Sequence, residues 1–248
     1  KLIPWIDHIK EIGCTALYIG PLFESVGHGY ETTDYRKLEL FAQSNPALTK
    51  ADYVIIAGDC GIVWSRDTLD ARISAYEDLP FSILFVDGNH ENFDMLNEFD
   101  VENFCGGSVH RISEHIFHLM RGQVFELNGV RLFAFGGAES TDKIYRQEGV
   151  SWWKQEIPSA AEIEEGLRSL AACGNKVDCI ITHSCDRRAL YYPPLLKWGG
   201  NRVSAENMLL SVFEDVAQYK HWYFGHYHLD GNLTDKKTVV YNDIIKLN

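Results

Sequence analysis

Four apolar runs in this chain each end in a short polar loop, and that repeated ending constrains the fold more than any other feature. The runs are YVIIAGD at 53–59, SILFVDGNHE at 82–91, DCIITHS at 178–184 and HWYFGHYH at 221–228. Short continuous apolar stretches rich in β-branched and aromatic residues fit strands buried on both faces. Between them, 67–77, 159–172 and 203–218 carry helical spacing, and 35–43 reads as an amphipathic helix closed by a turn at Asn45-Pro46. Residues 124–138 predict a hairpin turning at Asn128-Gly129. Near the start, 2–12 predicts a helix ended by Gly13, and TALYIGPLF at 15–23 predicts a strand broken at Gly20-Pro21. Strands alternating with helices predict a layered α/β architecture, with side chains for binding or chemistry gathered at strand ends.

The loop residues form a ligand inventory. Asp59 offers two carboxylate oxygens, Asn89 a neutral amide oxygen, and His183, His226 and His228 imidazole nitrogens. Mixed nitrogen and oxygen ligation suits Mn, Fe, Zn, Ni or Co better than Ca or Mg. The glycines beside them let the backbone turn tightly enough for short side chains to meet. Each residue alone has a blander reading: a lone histidine is more often structural, and His226 and His228 could alternate across a strand. Four such endings in order outweigh those readings.

Composition narrows the partners. The chain has 248 residues, 46% hydrophobic and 23% charged, with a formal net charge of -12. One domain can bury a substantial core at that length. An acidic chain repels nucleic-acid phosphates, so broad nucleic-acid binding is not expected. No apolar run approaches the roughly 18 residues of a membrane span, and no signal peptide is visible. The six cysteines hold no CxxC pair, which reads as reduced thiols and a cytoplasmic setting. Nothing in the sequence specifies an oligomeric state.

GDCG (58–61), GNHE (88–91), THSC (182–185) and GHYH (225–228) stand in order, and with them the chain resembles the calcineurin-like metallophosphoesterase superfamily over about residues 34–248. MRGQVFELNG, FGGAES and GVSWWKQEIPS are similar to its small bacterial members. The resemblance implies a layered sandwich of two mixed β-sheets flanked by helices. It implies hydrolysis of a small phosphomonoester or phosphodiester by a metal-activated hydroxide, with one or two divalent metals per chain. Asp59 would bridge both metals, Asn89, His183 and His226 would complete one site, and His228 would serve the other. His90 would be the catalytic residue beside the substrate, stabilising the transition state or protonating the leaving oxygen. Arg146, in a loop that this subgroup places near the site mouth, is a candidate to bind substrate, set against an ordinary surface arginine.

The D-x-H-G motif that opens the family pattern is missing. Tyr30, Glu31, Thr32 and Thr33 stand where it should fall. The preceding stretch, LIPWIDHIKEIGCTALYIGPLFESVGHGYETTDY, resembles instead a helix, strand and loop of the α-amylase family. The chain therefore reads as a chimera in which about residues 1–35 replace the usual first strand of one domain spanning 1–248. His28, Glu31 and Asp34 are candidate surrogate ligands, set against an exposed loop with no metal role. The expectation is one well-formed metal site, a damaged second one and weakened activity. The rivals are a non-catalytic metal-binding scaffold and carbohydrate binding through the amylase-like segment. Trp152 and Trp153 are weighed as substrate-flanking or core. His110, His115 and His118 read as structural, and Cys60 and Cys185 as inert packing.

Overall fold

The computed structural model describes residues 31–198 and 202–247. The helix expected at 2–12, the strand at 15–23 and His28 lie outside the described residues. Helix α1, Glu31–Ser44, begins earlier than its apolar spacing predicted, so Glu31 and Asp34 are helical where a loop was expected. Next come β1 (Tyr53–Ile56), α2 (Arg66–Glu77), β2 (Ser82–Phe85) and the short α3 (Phe93–Leu96). A meander follows: β3 (Val101–Phe104), β4 (Gly107–Arg111) and β5 (Ile116–Leu119). The hairpin is β6 (Gln123–Leu127) and β7 (Val130–Phe135), turning at Asn128 and Gly129, both in the left-handed region. The chain then forms α4 (Ala160–Ala172), β8 (Cys179–Thr182), α5 (Leu195–Trp198), α6 (Ala205–Val216), β9 (His221–Phe224), β10 (Gly231–Thr234) and β11 (Lys237–Val239).

Two mixed sheets result, of five strands in the order β1-β2-β5-β4-β3 and of six in the order β10-β11-β9-β8-β7-β6. The parallel pairs are β1–β2, β2–β5, β7–β8, β8–β9 and β9–β11. Alternation along each strand sorts side chains into layers. Leu84, Val86, Leu132, Ala134, Ile181 and Tyr223 meet between the sheets. Their sequence neighbours point outward: Ile83 and Phe85 pack under α1, α2 and α3, while Phe133, Phe135, Ile180, Trp222 and Phe224 pack under α4 and α6. The four central strands were legible as unbroken apolar runs because helices cover their outer faces.

A buried polar cluster ties the layers together. Asp87, just after β2, accepts from Arg121 at 2.5 and 3.0 Å and from His118 Nε2 at 3.1 Å. Arg121 also reaches Glu162 at the start of α4, at 3.1 Å. His118 Nε2 donates to the carboxylate, so in the neutral ring Nδ1 accepts from His110 Nδ1 at 2.9 Å. Burial opposes the Asp87 charge, but Arg121 and His118 outweigh it and hold the carboxyl well below its usual range. His110 and His118 are structural, as read from the sequence. Among the described residues no helix is long and apolar enough to cross a membrane.

Burial, then the neighbouring His118, pulls His110 from its ordinary 6.5 down to about 4. Between those values the unfolded chain binds a proton that the folded chain refuses, so stability falls as pH drops through that window. Urea titrations at pH 7 and pH 4.5 should show wild type losing about 1–2 kcal/mol more than His110→Gln, which has no proton to gain. An equal loss in both proteins would remove His110 from the acid response.

Candidate functional site

The four loops predicted from the sequence lie side by side at the ends of β1, β2, β8 and β9. After β1 the backbone turns through Gly58 (φ 90°) and Asp59 (φ 56°). Both conformations are left-handed, and at Asp59 a side-chain-bearing residue must tolerate one. Asp59 Oδ1 accepts the backbone amide of His90 at 2.9 Å. Its Oδ2 lies 3.4 Å from His183 Nε2. Room is tight: a Cβ on Gly88 would collide with Asp59 Oδ1, and one on Gly58 with the His183 ring.

His183 is buried, and its Nδ1 donates to the Ala57 carbonyl at 2.6 Å. That bond fixes the ring, so Nε2 faces Asp59 and Asn89. Asn89 is buried too. Its amide nitrogen donates to Ser140 Oγ at 3.1 Å, which turns Oδ1 toward His183 Nε2 at 3.2 Å. Three electron-pair donors from three strand ends therefore face one point. They repel one another unless a cation sits among them, a proton or a metal ion. With a proton there, burial opposes the His183 charge, but Asp59 outweighs burial and raises the ring above its ordinary value. Asp59 responds in the opposite sense: burial raises it, and His183 with His90 brings it far below the usual carboxylate range.

His226 and His228 do not alternate across a strand. Strand β9 ends at Phe224, and both residues adopt left-handed φ, 68° and 50°. The His226 ring centroid stands 5.1 Å from that of His183. Burial, then His183, lowers it to about 3, so it stays neutral and keeps a lone pair. His228 is exposed and stacks on Tyr241 at 4.7 Å. Tyr227, between the two histidines, points inward. Its hydroxyl lies 3.1 Å from Ser184 Oγ and accepts from Asn207 Nδ2 at 3.1 Å, which locks this loop to the one carrying His183.

Among the described residues, no three His, Cys, Asp or Glu side chains form a metal cluster by themselves. The convergent set is Asp59 and His183 with the Asn89 amide oxygen. His226 lies beside it, and His228 lines the same cavity with its ring stacked on Tyr241. The donor chemistry of the convergent set fits a cation. The side chains of Glu31 and Asp34 lie outside the described structure.

Arg146 stands at the site rather than on open surface. Its side chain is only 7% exposed, and Nε binds Asp142 at 2.9 Å. Nη1 and Nη2 approach the two His90 ring nitrogens at 3.2 and 3.3 Å. A guanidinium only donates and a neutral imidazole has one lone pair, so one of these contacts is a hydrogen bond. Trp153 is core, buried with its indole nitrogen donating to Asp94 at 2.8 Å. Trp152 lies under Lys143. Cys60 and Cys185 are buried, and burial pushes both thiols up, consistent with inert packing.

Sequence reasoning missed three participants: Ser140, which orients Asn89, Trp64, whose ring lies 6.5 Å from His90, and Glu91. Glu91 is fully buried, one oxygen accepting the Cys60 amide at 3.2 Å and the other without a partner. Burial, then Asp59 and Asp87, pushes it well above the carboxylate range. Its place in GNHE was the available signal.

Gly58→Ala forces a Cβ into the His183 ring at a φ of 90°. It should cost about 1–3 kcal/mol in urea unfolding. Gly129→Ala, with φ 83° but open space around it, should cost less. Equal losses would show that backbone strain alone, not the His183 contact, makes glycine necessary at position 58. No protein-family model matches the chain, and no curated protein matches it.

Proposed function

We propose that this chain is a metal-dependent phosphoesterase with a metallophosphoesterase-like sandwich, acting on small phosphate esters. The observation that carries the reading is the approach of Asp59 Oδ2, at 3.4 Å, and Asn89 Oδ1, at 3.2 Å, to His183 Nε2, with Arg146 and His90 alongside. A cation held by a carboxylate, an amide oxygen and an imidazole, next to a buried guanidinium, is a place for an anionic oxygen ester. The Asp59, Asn89 and His183 side chains would hold the ion, with neutral His226 adjacent. A divalent ion there supplies Lewis-acid charge and lowers the pKa of water.

The chain's own residues do the rest. Arg146 presents a planar fork of donors suited to two phosphate oxygens. Those donors rest on His90. A phosphate oxygen is the stronger acceptor and would draw them away from the imidazole. His90 can then give a proton to the departing ester oxygen. Water's oxygen bonds to phosphorus, the ester P–O bond breaks, and the products are an alcohol and a phosphate.

A second reading, a metal-binding scaffold without turnover, is favoured by one observation: the His228 ring is stacked on Tyr241. The carbohydrate reading rests on about residues 1–35, nearly all outside the described residues.

Protein loaded with manganese and desalted should carry about one ion per chain by elemental analysis, and His183→Ala should carry none. Two ions in wild type would mean that other residues complete a second site; none would sink the proposal. Arg146→Ala should lower kcat/KM on bis(4-nitrophenyl) phosphate by about 100-fold without changing metal content. Turnover untouched by both Arg146→Ala and His90→Ala would belong to a contaminant and would favour the scaffold.

A further inference from the structure

Trp64 lines the same cavity, of about 830 Å³, as Asp59, His90, His183 and His226. The two residues before it, Ile62 and Val63, are completely buried, yet this larger apolar ring is left partly exposed beside Asp59 and His90. It is also held firmly. Asn92 Nδ2 donates to the Trp64 carbonyl at 3.0 Å, and the Asn92 amide donates to Val63 at 3.1 Å. The indole meets Trp153 edge to face, with centroids 5.8 Å apart and planes at 81°. Trp153 in turn is buried and tied to Asp94. A pre-set ring loses little freedom when a ligand stacks on it.

We propose that Trp64 is the stacking platform for a planar aromatic group on the leaving side of the ester, so that the substrates are arylmethyl or nucleoside phosphates rather than aliphatic ones. This rests on the phosphoesterase reading and extends it to the substrate class. Phosphate oxygens engage Arg146 and the cation, and His90 faces the leaving oxygen. The Trp64 ring lies 6.5 Å from His90, within reach of a group joined to that oxygen through a short linker. Indole faces attract planar π systems of many kinds.

The test compares pairs that differ only in the π system: benzyl against cyclohexylmethyl phosphate, and adenosine 5′-phosphate against ribose 5-phosphate. Wild type should favour the aromatic member by roughly tenfold in kcat/KM, read mainly in KM. Trp64→Leu should erase that preference, while Trp64→Tyr should keep much of it. A preference in the benzyl pair alone assigns the platform to arylmethyl esters, and one in the nucleotide pair assigns it to nucleobases. Calorimetry with benzylphosphonate and cyclohexylmethylphosphonate reads stacking without turnover. A Trp64-dependent binding preference with no hydrolysis would sustain the platform and overturn the phosphoesterase reading. Hydrolysis with equal KM for both members of each pair would overturn the platform and leave that reading standing. A preference that survives in Trp64→Leu would also overturn it.

Discussion

The ion pair between Asp87 and Arg121 holds this structure together at the point where the sheets and the site meet. Both side chains are almost completely buried, and bonds of 2.5 and 3.0 Å join them. Two charges removed from water carry a desolvation cost of several kcal/mol each, which attraction offsets only with good geometry and further hydrogen bonds. Here the bonds are supplied: His118 to the carboxylate, Glu162 and the Gln155 carbonyl to the guanidinium. The pair therefore contributes little as a net gain and a great deal as a constraint. Loss of one partner would strand the other, at about 3–5 kcal/mol. The constraint lands where it matters, because Asn89 lies two residues beyond Asp87 on the same loop. Gly136 has no room for a Cβ against Asp87, so the strand end of β7 is drawn to the same point.

A second constraint is conformational. Asp59, His226 and His228 are not glycine, yet each adopts a left-handed φ. Such conformations cost on the order of 1–3 kcal/mol and persist only where the surroundings over-determine them. For Asp59 the surroundings are the His90 amide and the packed Gly88; for His226 they are Tyr227, bonded to Ser184 and Asn207 beneath it. Cys105, Asn128 and Asn175 adopt the same conformation at turns, so the strain is shared between turns and ligand-capable residues. The His228 ring leans on Tyr241 and lines the same cavity as Asp59.

Much of this was legible in the sequence because it is local. Covered strands read as unbroken apolar runs, the helices kept their spacing, and Asn128-Gly129 marked a hairpin. The β3–β5 meander escaped because β3 is a surface strand. Val101, Glu102 and Asn103 are all exposed, so no apolar pattern survives, and its turn depends on left-handed backbone at Cys105 and Gly106. The site was legible in its residues but not in its wiring. Ser140 contacts Asn89 across 51 positions and Arg146 contacts His90 across 56. Long-range orientation of that kind leaves no spacing to read. The two histidines of GHYH were read as a possible strand alternation because nothing local marks left-handed backbone in residues other than glycine.

The strongest argument about function comes from one imidazole. His183 donates through Nδ1 to a main-chain carbonyl, and a carbonyl can only accept, so Nε2 is the nitrogen left facing Asp59 and Asn89. Asn89 cannot relieve the crowding by turning its amide, because Ser140 holds the other end. The chain has thus placed a carboxylate, an amide oxygen and an imidazole nitrogen around one point and locked each from behind. A proton there sits on Nε2 and hydrogen-bonds one or both oxygens, whereas a divalent ion could accept a lone pair from all three. Ligands bound this way from their far side are the usual design of metal sites, since the outer contact sets both tautomer and direction. His228 lies on the same cavity, its ring stacked on Tyr241.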